Sequence, residues 1–309
     1  DRYFDVFVEY AKANPEDILI KVTIANRGPD AASLDVLPTL WFRNTWSWGD
    51  THESDVPKPR LSKVDDGTLL ADHTTLGQFR FSADKDPAGA KPDWLFTENE
   101  TNNWKLEDAN SHKPSCKDAF HLYVVNGLAG AINVKPFGTK AAAHYHLEIE
   151  AGAEVTLRFR LSNDQDVPTE VFGSAFDDMF AQRLAEADGF YAENSAPGLT
   201  EDEKRVLRQA SAGLLWTKQF YCYSVAEWMK GADHASTVPA ARTNLRNHDW
   251  PHLYNRDIIS MPDKWEYPWY AAWDSAFHMI PFANLDPHFA KDQALLFLRE
   301  WYMHPNGQM

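Results

Sequence analysis

The first half of the chain alternates apolar and polar residues in short runs, which is the pattern of half-buried β-strands. Two such runs, residues 3–10 and 17–26, flank an Asn-Pro-Glu-Asp turn and predict a hairpin or meander. Further strands are predicted at 33–43, 68–72, 76–83, 120–126, 142–150 and 154–162, and long loops at 49–66 and 84–117. Many short strands separated by Gly, Pro and Asp residues predict a large antiparallel β-sandwich.

The apolar period changes from two residues to 3.6 after residue 169. Apolar residues at helical spacing predict a linker helix that begins near residue 172 and ends near residue 191. Thr200 and Glu203 then match the capping-box pattern, in which each side chain bonds to the backbone of the other residue. A second helix is therefore predicted to begin after Thr200 and to end at about Met229.

Two further helices are predicted near the end of the chain. One begins at Asp274 and ends near residue 285. The other has Asp286 as its N-cap, Pro287 in its first turn and its end near residue 303. The predicted organisation is thus a β-sandwich domain at 1–166, a linker helix at 167–199 and a helical domain at 200–309.

Composition and charge narrow the class of protein. Hydrophobic residues make up 44% of the 309 positions and charged residues 24%, as in a globular protein with a large core. The formal charge of −15 argues against a nucleic-acid partner, because an acidic surface repels phosphate backbones. No apolar run reaches the roughly 18 residues of a membrane span. Cys116 and Cys222 lie far apart, which fits reduced thiols and predicts a cytoplasmic location, although a chain that opens at Asp1 is compatible with a removed targeting segment.

Two clusters in the first half have functional as well as structural interpretations. His144 and His146 are two apart in a predicted strand and share a face, as metal ligands can. No third ligand accompanies them in the sequence, so neither a metal nor another cofactor is predicted. Trp41, Trp46 and Trp48 lie close together at a strand end, where they either pack the sandwich against its neighbour or reach over a sugar pocket.

The most unusual stretch is residues 250–278, where seven aromatic residues fall within the first 24 positions. About three would be expected from the whole-chain aromatic share of 13%. Polar residues that bind neutral ligands alternate with these aromatics: Asn255, Arg256, Asp257, Glu266, Asp274 and His278. Flat apolar faces beside carboxylates and amides suit a sugar, because its C–H face stacks on a ring while its hydroxyls bind charged acceptors.

The same stretch is predicted to be mostly an ordered loop, because Pro262 and Pro268 break any helix. A helical pattern starts only at its end. There Asp274 and His278, four residues apart, share one face, while Trp273 lies on another. Asp274 also has a plainer interpretation as the N-cap of this helix.

The run YNRDIISMPDKWEYPWYAAWDSAFH at 254–278, with DPHFAKDQALLFLREWYMHPNGQ at 286–308, resembles glycoside hydrolase family 63. The run LPTLWFRNTWSWG at 37–49 extends the resemblance into the first half. The family includes processing α-glucosidases and hydrolases of small glucosyl and mannosyl glycerates. The resemblance implies a β-sandwich followed by an (α/α)6 barrel, and inverting hydrolysis of α-glucosides or related small glycosides.

The resemblance also implies roles for individual residues. In the related hydrolases the early Trp-Asp element holds hydroxyls of the sugar that is cleaved off, which gives Asp274 that role. The implied substrate-binding set is Asp274, Trp273, Trp269, His278, Tyr270, Asn255 and Arg256. The general acid and base lie much later in such enzymes, so both are expected beyond residue 309. Asp274 as acid with Glu266 as base is the weaker alternative.

The helices predicted after the sandwich are too few for a twelve-helix barrel. The chain is therefore expected to be part of a longer enzyme, without glycosidase activity by itself, and its apolar helix faces could be covered by self-association. The expected substrate of the whole enzyme is a small carbohydrate.

Two other functions fit the same residues. A non-catalytic carbohydrate-binding protein would keep the aromatic residues and need no general acid or base. An inverting disaccharide phosphorylase would need an anion site, for which the candidate basic residues are Arg242, Arg246, His248, His252 and Arg256. A dependence of turnover on phosphate would separate the phosphorylase from the hydrolase.

Overall fold

The structure, a computed structural model, describes residues 1–47, 57–103, 105, 115–230, 247–262, 270–299 and 302–308. It divides into two compact units, Asp1–Ala185 and Glu186–Met309. Strands dominate the first unit and helices are concentrated after it, so the chain has the β-then-α order that its apolar pattern predicts. None of the described helices combines the length and the apolarity needed to cross a bilayer.

The strands within the described residues are β1 Phe4–Asn14, β2 Asp17–Asn26, β3 Ala32–Val36, β4 Thr39–Trp41, β5 Arg60–Asp65, β6 Thr68–His73, β7 Gly77–Ala83, β8 Asp93–Thr97, β9 Phe137–Gly138, β10 Lys140–Ile149, β11 Glu154–Asn163, β12 Lys218–Ser224 and β13 Tyr254–Ser260. The α-helices are α1 Ala119–Val124, α2 Ser174–Glu193, α3 Glu201–Trp216, α4 Val225–Lys230, α5 Ala272–Leu285 and α6 Pro287–Phe297. Short 3-10 turns occur at Ala129–Ala131 and Asp164–Asp166.

Two antiparallel sheets build the first unit. The larger has the order β1-β2-β11-β7-β6-β5-β9. In the smaller sheet β10 is central, pairing with β3 through residues 145–149 and with β4 and β8 through residues 140–144. The predicted hairpin of β1 and β2 is confirmed, with Val8 opposite Val22.

One core receives side chains from both sheets. Phe159 of β11 is fully buried and stacks on Phe81 of β7, with 5.8 Å between the ring centroids. Tyr145 of the smaller sheet meets Phe159 edge-on at 6.0 Å. The faces of the two sheets are therefore packed together, which is the arrangement that a sandwich requires. Burial of each such ring contributes roughly 1.5–3 kcal/mol.

A buried ion pair joins β11 to β2. Arg160 donates from Nε to Oδ1 of Asp17 at 2.8 Å and from Nη2 to Oδ2 at 2.6 Å, and Nη1 donates to the carbonyl of Val171 at 3.2 Å. Both side chains are about nine-tenths buried. Two parallel hydrogen bonds of this kind fix direction as well as distance, so the pair aligns the two strands.

The helix α2 begins against the larger sheet, as the apolar stripe in its sequence predicts. Phe176 is almost fully buried and packs with Ala11 of β1 and Leu19 of β2. Lys21 then pairs with Asp177 at 2.9 Å. The division between the two units falls within this helix, after residue 185.

Several predictions for the first unit were wrong. Residues 120–126 are predicted as a strand, but Ala119–Val124 is α1, and Phe120, Tyr123 and Val124 pack at helical spacing in a smaller cluster with Leu95 and Ala142. The predicted loops also contain strands. β5 lies in one and β8 in the other, because both pair with neighbours in the sheets. Residues 49–56 of the first loop and residues 104 and 106–114 of the second lie outside the described residues.

In the second unit the capping box is confirmed but the predicted helix is too long. Thr200 accepts from the backbone of Glu203, whose side chain accepts in return from Thr200, and α3 follows. The helix ends at Trp216, and β12 follows it rather than more helix. β12 pairs with β13, which lies in the predicted aromatic loop. The two strands form because cross-strand pairing buries Tyr221 and Ile259 on one face.

The start of the last helix is confirmed. Asp286 caps α6 by accepting from the backbone N–H of Phe289 at 3.0 Å, and Pro287 occupies the first turn. The other oxygen of Asp286 pairs with Lys218 at 2.6 Å. The helix ends at Phe297, short of the predicted residue 303.

We expect Arg160→Met to lower the free energy of unfolding by about 3–5 kcal/mol, because it leaves the Asp17 carboxylate buried without its partner. The double substitution Asp17→Leu with Arg160→Met should recover most of that loss, since it removes both charges. Urea denaturation followed by circular dichroism measures both effects. The control is Arg27→Met, which breaks a half-exposed pair with Asp5. A loss in the control as large as in Arg160→Met would contradict the role of burial.

The pH dependence of stability tests the cap of α6. Hydrogen bonding to Lys218, followed by the bond from Phe289, lowers the pKa of Asp286 below its usual range. The folded state therefore gains stability from the charged form at pH values above the unfolded pKa of about 3.9, and loses it as the pH falls through the lower folded pKa. We expect the stability difference between wild type and Asp286→Asn to shrink on acidification. The exposed Asp292→Asn on the same helix should show no such trend.

Candidate functional site

The predicted sugar-binding residues that the structure describes lie in the second unit, on β13 and α5, with Tyr270 two positions before α5 begins. β13 runs antiparallel to β12, so successive side chains point to opposite faces. Asn255, Asp257 and Ile259 lie on the more buried face, and Arg256 and Ile258 on the exposed one. α5 begins a short distance along the chain and carries the Trp-Asp element in its first turn.

Asp274 is in the first turn of α5 but does not cap it. The N-cap position belongs to Ala271, and no side chain caps the helix there. The interpretation of Asp274 as an N-cap is therefore wrong. Its Oδ2 is shielded from solvent and has no hydrogen-bond partner among the described residues. Free backbone N–H groups at a helix N-terminus favour a negative charge, so this position suits a carboxylate.

An exposed aromatic surface adjoins this carboxylate along the helix. The side chain of Trp273 is 68% exposed, and its ring meets that of Phe277 edge-on with centroids 6.1 Å apart. Phe277 and Ile280 are also mostly exposed, so this face of α5 is apolar at its surface. A broad exposed ring beside an unpaired carboxylate can stack on a sugar while the carboxylate accepts bonds from its hydroxyls.

His278 lies one helical turn after Asp274 and is held by β13. Its Nδ1 is 2.8 Å from Oγ of Ser260, and Ser260 is fully buried. Burial lowers the pKa of His278, although the charge of Asp274 and a hydrogen bond to the backbone of Ser260 act in the opposite direction. The imidazole is therefore neutral at neutral pH, and a neutral imidazole has one nitrogen that donates and one that accepts.

Two further residues, Asn255 of β13 and Tyr270, have buried polar atoms. Asn255 is fully buried, and neither its oxygen nor its nitrogen has a hydrogen-bond partner within the described part of the chain. Tyr270 is also buried with an unpaired hydroxyl, and burial raises its pKa. Its ring lies 5.6 Å from that of Tyr302, whose hydroxyl donates to Asp257. Unpaired buried polar atoms cost folding free energy, so they mark places where a ligand or a water molecule can supply the missing hydrogen bond.

The remaining predicted residues either lie away from these side chains or are outside the described residues. Arg256 lies on the exposed face of β13, opposite to Asn255. Trp269 and Glu266 lie outside the described residues. Among the basic residues considered for a phosphate site, Arg242 and Arg246 also lie outside them. His252 contacts the carbonyl of Met303 through Nε2 at 3.0 Å.

The clusters of the first unit have structural partners. His144 and His146 both contact Oδ1 of Asp35, at 2.7 and 3.1 Å, and these contacts lower the pKa of that carboxyl. No group of three or more His, Cys, Asp or Glu side chains in the described ranges could hold a metal ion. Trp46 donates from Nε1 to Glu100 at 3.1 Å. Trp48 lies outside the described residues.

Sequence reasoning missed the residues that hold His278 in place. The sequence pattern places Ser260 in a loop and Thr217 in the middle of a helix, yet their hydroxyls lie 2.7 Å apart. Recognition of two facing strands, with Lys218 opposite Ser260, would have brought the two residues together. Residues 254–260 read YNRDIIS, which lacks the apolar–polar alternation that marks a strand, so the pattern gave no signal for β13.

Comparison with known proteins gives one similarity along nearly the whole chain. No family model matches the sequence. The chain is 41% identical over 340 aligned positions to the uncharacterized protein YMR196W of Saccharomyces cerevisiae. The alignment covers 99% of this chain but 31% of the yeast protein, so the chain spans about a third of that relative's length.

Proposed function

We propose that this chain supplies part of the sugar-binding site of an inverting glycoside hydrolase that acts on α-glucosides or related small glycosides. The proposal rests on the resemblance to glycoside hydrolase family 63 together with the geometry around Asp274. In this proposal the helices of the second unit belong to an (α/α)6 barrel. The general acid and base are supplied by a part of the enzyme outside residues 1–309. The alignment to 31% of the yeast protein is compatible with such an arrangement.

The observation that carries the proposal is the shielded, unpaired oxygen of Asp274. Removing a carboxylate oxygen from water without giving it a donor costs free energy, so such an oxygen is expected where a ligand supplies the donor. A sugar hydroxyl can supply such a donor. Trp273 exposes its ring at the preceding position, where it can cover the apolar face of the same sugar.

The geometry supports binding more directly than it supports turnover. A non-catalytic carbohydrate-binding protein would use the same carboxylate and ring, so the two functions differ only in chemistry. An inverting hydrolase adds a water molecule from the face opposite the leaving group, between two carboxyl groups roughly 6.5–9.5 Å apart. An α-glucoside is then released as β-glucose.

The experiment that tests the proposal is hydrolysis of a panel of α-glucosides and glucosyl glycerates by the intact protein, followed by proton NMR. Early appearance of the β-anomer, without added phosphate, is the expected result. Appearance of glucose 1-phosphate that depends on phosphate would favour the phosphorylase. Sugar binding without any turnover would favour the non-catalytic carbohydrate-binding function. The absence of both sugar binding and turnover would refute the proposal.

Asp274→Asn in the intact protein should lower kcat/KM for the α-glucoside by roughly 10- to 150-fold. This corresponds to one lost charge-assisted hydrogen bond of about 1.5–3 kcal/mol. The fold should be kept, because Asp274 neither caps α5 nor pairs with another described residue. The matched control is Asp292→Asn, which removes the same charge from an exposed position on α6. Equal kinetics in the two variants would contradict the assignment.

A further inference from the structure

Three consecutive hydrogen bonds lead from the end of α3 to His278. The hydroxyl of Thr217 donates to the carbonyl oxygen of Leu214 at 2.6 Å. Oγ of Ser260 lies 2.7 Å from Oγ1 of Thr217, and Nδ1 of His278 lies 2.8 Å from Oγ of Ser260. Ser260 is fully buried, so bulk water does not compete for its hydroxyl. These four residues are called the Ser260 relay below.

The direction of each bond in the relay follows from its first member. The carbonyl of Leu214 can only accept, so the single hydroxyl proton of Thr217 is directed at it. Thr217 must then accept from Ser260, since two oxygens 2.7 Å apart without a proton between them repel each other. The proton of Ser260 is thereby used, and Ser260 must accept from Nδ1 of His278. The neutral imidazole consequently carries its proton on Nδ1.

We infer that the Ser260 relay holds His278 as the Nδ1–H tautomer, so that Nε2 accepts a hydrogen bond from a sugar hydroxyl beside the one bound by Asp274. The ligand part of this inference rests on the proposed function, whereas the tautomer rests on the relay alone. Thr217 and Ser260 are positioning residues, because they act on the ligand only through His278.

The arrangement suits two neighbouring hydroxyls of one sugar ring. Asp274 and His278 are four residues apart on α5, and such positions are neighbours on a helix surface with roughly 5–6 Å between their Cβ atoms. A carboxylate accepts only, and Nε2 of the Nδ1–H tautomer also accepts only. Each therefore accepts a hydrogen bond from one hydroxyl of a vicinal pair. Nδ1 is engaged by Oγ of Ser260, so Nε2 is the ring nitrogen that the inference assigns to the ligand.

The tautomer can be read from nitrogen chemical shifts of the intact protein labelled with ¹⁵N-histidine, at roughly pH 8 where a histidine is neutral. Wild type should show His278 protonated on Nδ1. In Thr217→Val the hydroxyl of Ser260 loses its acceptor and turns to donate to Nδ1, so the proton should move to Nε2. Thr217→Ser keeps the acceptor and should keep the wild-type spectrum.

The matched control is Ser275→Ala. Ser275 is as buried as Ser260, and its hydroxyl donates to the backbone carbonyl of Ser260 at 2.6 Å, but Ser275 is not part of the relay. Its loss should leave the tautomer unchanged. Titration with methyl α-D-glucopyranoside should show affinity reduced about tenfold in Thr217→Val, as for one neutral hydrogen bond, and unchanged in Thr217→Ser.

The outcomes separate the two parts of the inference. An Nδ1 proton that persists in Thr217→Val would overturn the relay whatever the sugar does. If Thr217→Val fails to fold, Ser260→Ala is the second test, since loss of the acceptor should abolish the preference for Nδ1–H, and a retained preference overturns the relay. A tautomer change without loss of affinity overturns the ligand role of Nε2. A wild type that shows the Nδ1–H tautomer and binds no sugar overturns the proposed function and the ligand role, while the tautomer stands.

Discussion

The candidate site depends on the hydrogen bonds of one buried residue, Ser260. Its hydroxyl lies between Thr217, at the end of α3, and His278 on α5. Its carbonyl accepts from Ser275, also on α5. A fully buried polar residue must keep its partners, so these bonds fix the first two turns of α5 against the end of β13. The directions of Asp274 and Trp273, which lie in the first turn, follow from that attachment.

The buried Arg160–Asp17 pair and the residues of the candidate site differ in how their polar groups are satisfied. In the first unit the buried charges of Arg160 and Asp17 are matched by two parallel hydrogen bonds, and a backbone carbonyl accepts a third. In the second unit Asp274, Asn255 and Tyr270 keep buried atoms without partners among the described residues. Matched groups stabilise a scaffold, whereas unmatched ones are tolerated where something else binds. The contrast is one reason why the proposed function places ligand binding around Asp274.

The second unit exposes several large apolar side chains. Trp273, Phe277 and Ile280 on α5 are each more than 60% exposed, and Phe220 and Ile258 are half exposed opposite each other on β12 and β13. Large exposed apolar areas mark surfaces that bind something. Under the proposed function, part of this surface would face a sugar and part would face other helices of the barrel.

The sequence alone determined the elements whose pattern is local. Alternation in 17–26 predicted β2 with the same bounds, and the capping residues Thr200 and Asp286 marked the helix starts correctly, because a cap needs only its next three residues. The Trp-Asp element was likewise found from composition and spacing. Its position in a helix was right, but its environment was not predicted.

Only the tertiary structure decided what lies next to what. Residues 218–224 and 254–260 are too short to be distinguished from helix or loop by pattern, and each forms a strand because it pairs with the other. Ser260 and Thr217 are 43 positions apart, so their contact and the orientation of His278 required that pairing first. The sequence thus determined which side chains could bind a sugar. Which of them meet, and which nitrogen of His278 accepts, was decided by contacts between distant parts of the chain.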